Sequence, residues 1–198
     1  MIIVGLTGSI GSGKSFIANF LKLKRIPIYY ADKEANKILR NDNSVKKRIA
    51  NLFPEVYINK KINKTKLGSL VFKDKRKLKK LENIIHPKVG QAKRKFLSFH
   101  RKKKARLVIL EIPILFETNG HKGCDFTILV FVNKKKHLKR VLSRSNIDKK
   151  KIEAILSNQM PLEEKKKKAD FTINNSFGRK ETIEKVEKII KQILSTSL

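Results

Sequence analysis

Cysteine is almost absent from the sequence, and long apolar runs are missing. A single cysteine, Cys124, occurs among 198 residues, so no disulfide can form within the chain and a reducing cytoplasm is the expected location. We interpret Cys124 as a small structural residue where a loop meets a strand. The apolar start, residues 1–6, is too short for a secretion signal or a membrane span. We therefore expect one cytoplasmic domain with no membrane partner.

Acidic residues are scarce. The sequence has 17 Asp and Glu and 48 Lys and Arg, which gives a formal net charge of +31. Such a balance is typical of proteins that bind nucleic acid or another polyanion. Only 10 of the basic residues are arginine, whose planar guanidinium binds phosphates and bases better than the lysine ammonium does. No interleaved aromatic residues accompany the lysines. We interpret most of the charge as a drift in residue usage, and a specific nucleic-acid partner is not expected. A nucleic-acid-binding ATPase stays the alternative.

Short apolar segments alternate with helical patterns along the chain. The apolar segments cover residues 2–6, 26–30, 106–111, 125–132 and 170–174. Alternation of this kind predicts an α/β fold in which a parallel sheet of about five strands is covered by helices on both faces.

A complete phosphate-binding motif stands at residues 8–15, between the first apolar segment and a helical pattern. Its glycines allow main-chain N–H groups to point inward and form an anion site with the start of the helix. In such a loop Lys14 reaches the β- and γ-phosphates, and Ser15 ligates the Mg²⁺ that accompanies ATP. The predicted ATP site comprises Gly11, Ser12, Gly13, Lys14, Ser15 and Phe16.

The motif predicts nucleotide binding. The absence of motifs that other nucleotide-binding proteins carry limits the class of reaction. A GTPase needs an Asn-Lys-x-Asp base reader, and residues 133–136 lack the aspartate. Motor and AAA-type ATPases end a strand in an Asp-Glu pair, whereas the third apolar segment ends in Glu111 alone. A small-molecule kinase fits best, and a nucleoside or nucleotide kinase is one form of it.

Four further residues carry groups suited to phosphoryl transfer. Asp32 follows the second apolar segment, where a carboxylate can orient or deprotonate an attacking hydroxyl, although a helix N-cap is the alternative. Arg140 and Arg144 are spaced i, i+4 and can bracket phosphoryl charge, or form a solvated helix face. His86 precedes Pro87, which predicts the start of a new helix there; a lone histidine is more often structural.

The whole chain is therefore predicted to be one three-layer P-loop kinase domain of residues 1–198. Its core is expected from residues 1–30, 106–133 and 169–198. A helical subdomain that binds the acceptor is expected near residues 31–105, and a helical lid near residues 134–168. Such a lid excludes water, which would otherwise hydrolyse ATP.

Several segments together resemble one kinase family, the bacterial dephospho-coenzyme A kinases. Their order and spacing match over nearly the whole chain; they are residues 7–15, 31–32, 85–87, 113–117, Arg140, Arg144, Gln159 and residues 169–175. The His-Pro pair, the Pro-x-Leu-Phe-Glu loop and the late Ala-Asp segment are specific in combination. The resemblance implies that ATP phosphorylates the ribose 3′-hydroxyl of dephospho-CoA, the last step of coenzyme A synthesis. It implies no oligomeric state.

The resemblance also implies roles for individual residues near the acceptor. Asp32 is implied as the catalytic carboxylate and as a contact to the acceptor. His86, Leu115 and Glu117 are implied to lie around the acceptor pocket. The family pattern has Asp-Ala-Asp where this chain has Tyr30-Ala31-Asp32, so one carboxylate is replaced by Tyr30.

On the nucleotide side, Lys14 and Arg140 are predicted to be catalytic and to act on the transferred group. Arg144 is implied to close the lid together with Arg140. Asn175 is implied to lie near the adenine.

Overall fold

A computed structural model of the chain describes residues 1–59, 61–133, 136–137, 140–141 and 159–196. In chain order the strands and α-helices are β1 (Ile2–Thr7), α1 (Lys14–Leu23), β2 (Ile28–Tyr30), α2 (Ala31–Asn41), α3 (Asn43–Leu52), β3 (Tyr57–Ile58), β4 (Lys61–Ile62), α4 (Lys64–Val71), α5 (Lys75–Lys102), β5 (Leu107–Glu111), β6 (Phe126–Phe131), α6 (Leu162–Lys168), β7 (Phe171–Asn174) and α7 (Arg179–Ser195).

The central sheet has five strands in the order β2-β5-β1-β6-β7, and every neighbouring pair is parallel. This confirms the predicted five-stranded parallel sheet. Because all five strands run the same way, their carboxyl ends meet at one edge. At that edge Tyr30 of β2 and Leu6 of β1 both pair in register with Glu111 of β5. The ends of the strands therefore bring segments far apart in sequence to one place.

The sheet is buried on both faces, which explains its nearly continuous apolar strands. Every residue of β5 is buried, and β1 is buried except for the half-buried Ile3. One apolar stripe of α1 and one of α7 pack against the strands, and we call this hydrophobic cluster the sheet core. Its buried members on the two helices are Ile17, Ala18, Leu21, Val186, Ile189, Ile190 and Ile193. These contacts fix α1, and with it the glycine-rich loop, against the sheet.

A second hydrophobic cluster, the helical cluster, lies among α3, α4 and α5. Its buried members are Val45, Ile49, Phe53, Val56, Leu67, Val71, Leu81, Ile84 and Ile85. The antiparallel pair β3–β4 borders it, with Tyr57 opposite Ile62. The sequence predicted a mostly helical segment here, and two-residue strands leave no alternating pattern to detect.

The prediction that a new helix begins at Pro87 is wrong, since α5 runs from Lys75 to Lys102 with the proline inside it. Proline removes the hydrogen bond to the carbonyl of Asn83, four residues earlier. Asn83, His86 and Pro87 all face solvent, so water can satisfy that carbonyl. Neither α5 nor any other helix within the described ranges is long and apolar enough to cross a membrane.

Candidate active site

The glycine-rich loop joins β1 to α1 in a conformation that requires glycine at defined places. Gly8 and Gly13 have φ of 148° and 98°, in the left-handed region that residues with a side chain rarely adopt. A Cβ atom on Gly13 would collide with the amide of Asn175. The loop is therefore held close to the segment that follows β7.

The ammonium of Lys14 lies across this loop. The residue is only 8% exposed, and its Nζ donates to the carbonyl oxygens of Gly8 at 2.5 Å and Ser9 at 3.1 Å. Burial raises the pKa values of two nearby carboxyls, those of Asp32 and Glu111, and the Lys14 charge opposes both rises. Lys14 thus places a cation between the loop and the carboxyl edge of the sheet.

A cavity of about 800 Å³ opens beside the loop, and we call it the nucleotide cavity. It brings together most of the predicted nucleotide residues; those lining it are Gly11, Gly13, Lys14, Ser15, Phe16, Arg140 and Asn175. Ser12, within the loop, is buried and does not line the cavity. Arg144 lies outside the described residues.

A second cavity, of about 930 Å³, lies between α2, α5 and the loop after β5, and we call it the acceptor cavity. Among the residues predicted to surround the acceptor, Asp32, His86 and Glu117 line it. The two cavities share the lining residues Asp32, Phe72, Pro113, Ile114 and Gln159. Asp32 is therefore the carboxylate at the place where the cavities meet.

Asp32 lies in the first turn of α2, one residue beyond Ala31, while Tyr30 holds the N-cap position. It is exposed toward the cavities, whose walls displace part of the water around its carboxylate. This desolvation raises the pKa of Asp32, and the Lys14 ammonium opposes the rise. The capping role considered from the sequence does not correspond to this position.

Glu111 is a carboxylate of the nucleotide cavity that the sequence reading passed over. It ends β5, is 7% exposed and lines the nucleotide cavity. Burial raises its pKa; the Asp32 charge adds to the rise, while Lys14 and Lys33 oppose it. The signal in the sequence is an acidic residue that closes an apolar strand; without a second acid beside it, it argued only against motor and AAA-type ATPases.

Leu115 does not line the acceptor cavity, which corrects its predicted role. Its side chain is fully buried, and its Cδ2 atom would lie 2.6 Å from a Cβ placed on Gly5. An apolar residue in a short loop packed on β1 contributes to the core, while Ile114 and Glu117 on either side face the cavity. The sequence could not separate these neighbours because the loop has no regular periodicity.

Asn175 is placed at the loop, and its side-chain amide is already hydrogen-bonded within the protein. Its Nδ2 donates to the carbonyl of Ser12 at 2.8 Å, and its Oδ1 accepts from Thr182 Oγ1 at 3.1 Å. The His137 ring similarly donates to the carbonyl of Ile10 at 2.7 Å. Asn175 therefore braces the glycine-rich loop against α7.

Removing the Asn175 amide is expected to destabilise the glycine-rich loop. Asn175→Ala leaves buried groups of Ser12 and Thr182 with fewer partners, which costs about 1–3 kcal/mol in the free energy of unfolding. We expect a melting temperature lower by a few degrees and a raised KM for the nucleotide, with the KM for the acceptor unchanged. Asn83→Ala, at an exposed position of α5, is the control. Equal effects on both KM values would contradict the assignment.

Two other residues of the nucleotide cavity were also missed. Arg179, the first residue of α7, lines the cavity, and its guanidinium lies 5.8 Å from the centre of the Phe16 ring. It is the only arginine after Arg144 in a lysine-rich sequence, a signal that could have identified it. Phe72 lines both cavities, but nothing in the sequence separates it from other core aromatics.

The comparisons with known proteins agree in one family. A profile of the dephospho-CoA kinases matches residues 2–181. The dephospho-CoA kinase of Bartonella quintana is 36% identical over 194 residues, covering 98% of this chain and 99% of that protein. A solved structure from Thermus thermophilus is 35% identical with a TM-score of 0.86, covering 98% of this chain and 97% of the other. The dephospho-CoA kinase from Campylobacter jejuni is 30% identical with a TM-score of 0.71, covering 99% and 98%.

Proposed function

The chain belongs to the dephospho-CoA kinase family, and on that basis we propose that it transfers the γ-phosphoryl group of ATP to the ribose 3′-hydroxyl of dephospho-CoA. The observation that carries the proposal is the position of Asp32, which lines both the nucleotide cavity and the acceptor cavity. Direct transfer between two bound molecules needs their two cavities to meet, because the attacking and leaving oxygens must lie in line across the transferred phosphoryl group. The family match over nearly the whole chain makes the nucleic-acid-binding alternative unfavoured.

In this proposal each group at the junction has a distinct task. Main-chain N–H groups of residues 11–15 and the N-terminus of α1 bind phosphate oxygens. Lys14 and Arg140 neutralise charge that develops on the transferred group. Asp32 accepts the proton of the attacking hydroxyl and orients it, for which its raised pKa is suitable. Exclusion of water by the predicted lid would favour transfer to the acceptor over hydrolysis.

The oxygen groups of the nucleotide cavity fit a magnesium ion carried by ATP. Ser15, Asp32 and Glu111 all line this cavity, and hydroxyl and carboxylate oxygens are the ligands that Mg²⁺ prefers. Within the described residues no group of three or more acidic, His or Cys side chains could hold a metal alone, which suits an ion that keeps waters and phosphate ligands. When bound, the ion neutralises charge on the β- and γ-phosphates.

Glu111 offers a test of this magnesium site. Glu111→Gln keeps the size of the side chain but removes a charge from the cavity, so the Mg²⁺ concentration for half-maximal activity should rise about 10-fold or more. The measurement is a Mg²⁺ titration of initial rate at saturating ATP and acceptor. Excess EDTA should stop turnover by the unaltered protein. An unchanged Mg²⁺ titration for the variant would remove Glu111 from the site.

The function itself is tested by one coupled assay with ATP, Mg²⁺ and dephospho-CoA, followed by mass analysis of the product. We expect one added phosphate on the ribose carrying the free 3′-hydroxyl. Adenosine, deoxynucleosides and nucleoside monophosphates serve as competing acceptors. A higher kcat/KM with any of these than with dephospho-CoA would contradict the proposal. The cytoplasmic location stays a prediction.

A further inference from the structure

One lysine of the run at residues 165–168 differs from its neighbours. Lys167 and Lys168 are exposed and Lys166 is half-buried, whereas the side chain of Lys165 is 0% exposed. An ammonium group is rarely enclosed completely unless it has a partner, because its desolvation is costly. A drift in residue usage, by which we interpret most of the lysines, does not explain the enclosed position of Lys165.

The partner of Lys165 is Glu117, which lines the acceptor cavity. Lys165 Nζ lies 2.8 Å from Glu117 Oε1. The same oxygen accepts a hydrogen bond of 2.9 Å from the backbone N–H of Met160. Glu117 is therefore fixed by two groups from the last part of the predicted lid, Met160 and Lys165.

Three polar atoms around this contact lack a hydrogen bond in the described structure. They are Glu117 Oε2, Gln159 Oε1 and Lys165 Nζ, whose contact with Glu117 Oε1 is an ion pair without hydrogen-bond geometry. Buried polar groups are normally paired, so three at one place call for an explanation. Glu117 and Gln159 both belong to the wall of the acceptor cavity. Two of the three atoms are acceptors, suited to a ligand that brings hydroxyl or amino donors.

We propose that Lys165 is a positioning residue that holds the Glu117 carboxylate in a fixed orientation, so that Glu117 and Gln159 together receive the donor groups of the acceptor nucleoside. This rests on the proposed function, since it assigns recognition within the same acceptor cavity. Stability alone does not account for the ion pair, because well-packed apolar residues in place of a buried pair are often as stable or more so. Glu117 lines the acceptor cavity and also contacts the last part of the predicted lid, at Met160 and Lys165.

The test compares Lys165→Met with Lys167→Met, an exposed position on the same helix. Methionine keeps the length and apolar stem of Lys165 but removes its charge. We expect Lys165→Met to raise the KM for dephospho-CoA about 10-fold or more, the loss of one charge-assisted contact, and to leave the KM for ATP unchanged. Lys167→Met should match the unaltered protein in both. A fall in kcat alone, or equal changes in both KM values, would show a merely structural role and overturn the proposal.

Lys165→Met leaves Glu117 buried without a counter-ion and can therefore fail to fold. The double variant Glu117→Gln, Lys165→Met removes both charges and keeps the test decisive. It should fold, bind ATP normally in a titration, and still show a raised KM for dephospho-CoA. A double variant with the unaltered KM would overturn the proposal. Failure of the unaltered protein to phosphorylate dephospho-CoA would instead contradict the proposed function, so the two failures are distinguishable.

Discussion

Replacing Lys14 by alanine is expected to abolish phosphoryl transfer, with kcat/KM lowered by at least about 10³-fold. Lys14 is the cation beside the glycine-rich loop, and its charge also acts on Asp32 and Glu111. Without it, charge developing between the β- and γ-phosphates loses its counter-ion. The two carboxylates lose the cation that lowers their pKa values, so both pKa values should rise further. Steady-state kinetics with ATP and dephospho-CoA measure the loss.

The matched control is Lys22→Ala on the same helix, at an exposed position. It removes one positive charge from α1 without touching either cavity, so its kinetics should be those of the unaltered protein. A Lys14→Ala variant that retained near-normal activity would remove the glycine-rich loop from the mechanism, and with it the central claim for this chain.

Asp32→Asn is expected to lower kcat by roughly 10²- to 10⁴-fold, the usual range for a positioned acid or base. Asparagine keeps the shape of the side chain and removes its charge and basicity. The melting temperature should change little, because Tyr30 and not Asp32 is the N-cap residue of α2. Glu34→Gln is the control, since Glu34 is in the same first turn and lines neither cavity. A variant with normal turnover and a lower melting temperature would make Asp32 a structural residue.

The same carboxyl predicts the pH dependence of the reaction. Desolvation raises the pKa of Asp32 above that of an exposed aspartate. As the pH falls through this raised pKa, the base becomes protonated and kcat declines. The acidic limb of the kcat profile should therefore lie at higher pH than an exposed aspartate would give, and Asp32→Asn should lack that limb.

The fold was largely predictable because its strong signals are local. The glycine-rich motif between β1 and α1 and the apolar segments predicted the parallel sheet, which the structure confirms. What failed depends on contacts distant in sequence. Pro87 continues α5 because its side of the helix is exposed, and the β3–β4 pair exists because the helical cluster supports it. Neither condition can be read from the residues alone.

The site was less predictable than the fold, for two physical reasons. Motif residues such as Lys14 and Asp32 carry chemistry that fixes where they must lie, and the structure places both in the nucleotide cavity. A loop residue has no periodicity to show its direction, which is why Leu115 was placed in the cavity and lies in the core instead. Glu111 and Lys165 show the converse. The charges that act on Glu111 belong to Lys14 and Asp32, the ion-pair partner of Lys165 is Glu117, and only the fold brings these residues together.

The sheet core and the helical cluster have no buried residue in common. A substitution that reshapes the helical cluster therefore alters the walls of the acceptor cavity without loosening the helix that carries the glycine-rich loop. Mutations that change the accepted molecule can accumulate on one side while nucleotide use is preserved on the other. Such a separation makes the architecture adaptable, because a new acceptor can be reached through intermediates that still use the same phosphoryl donor.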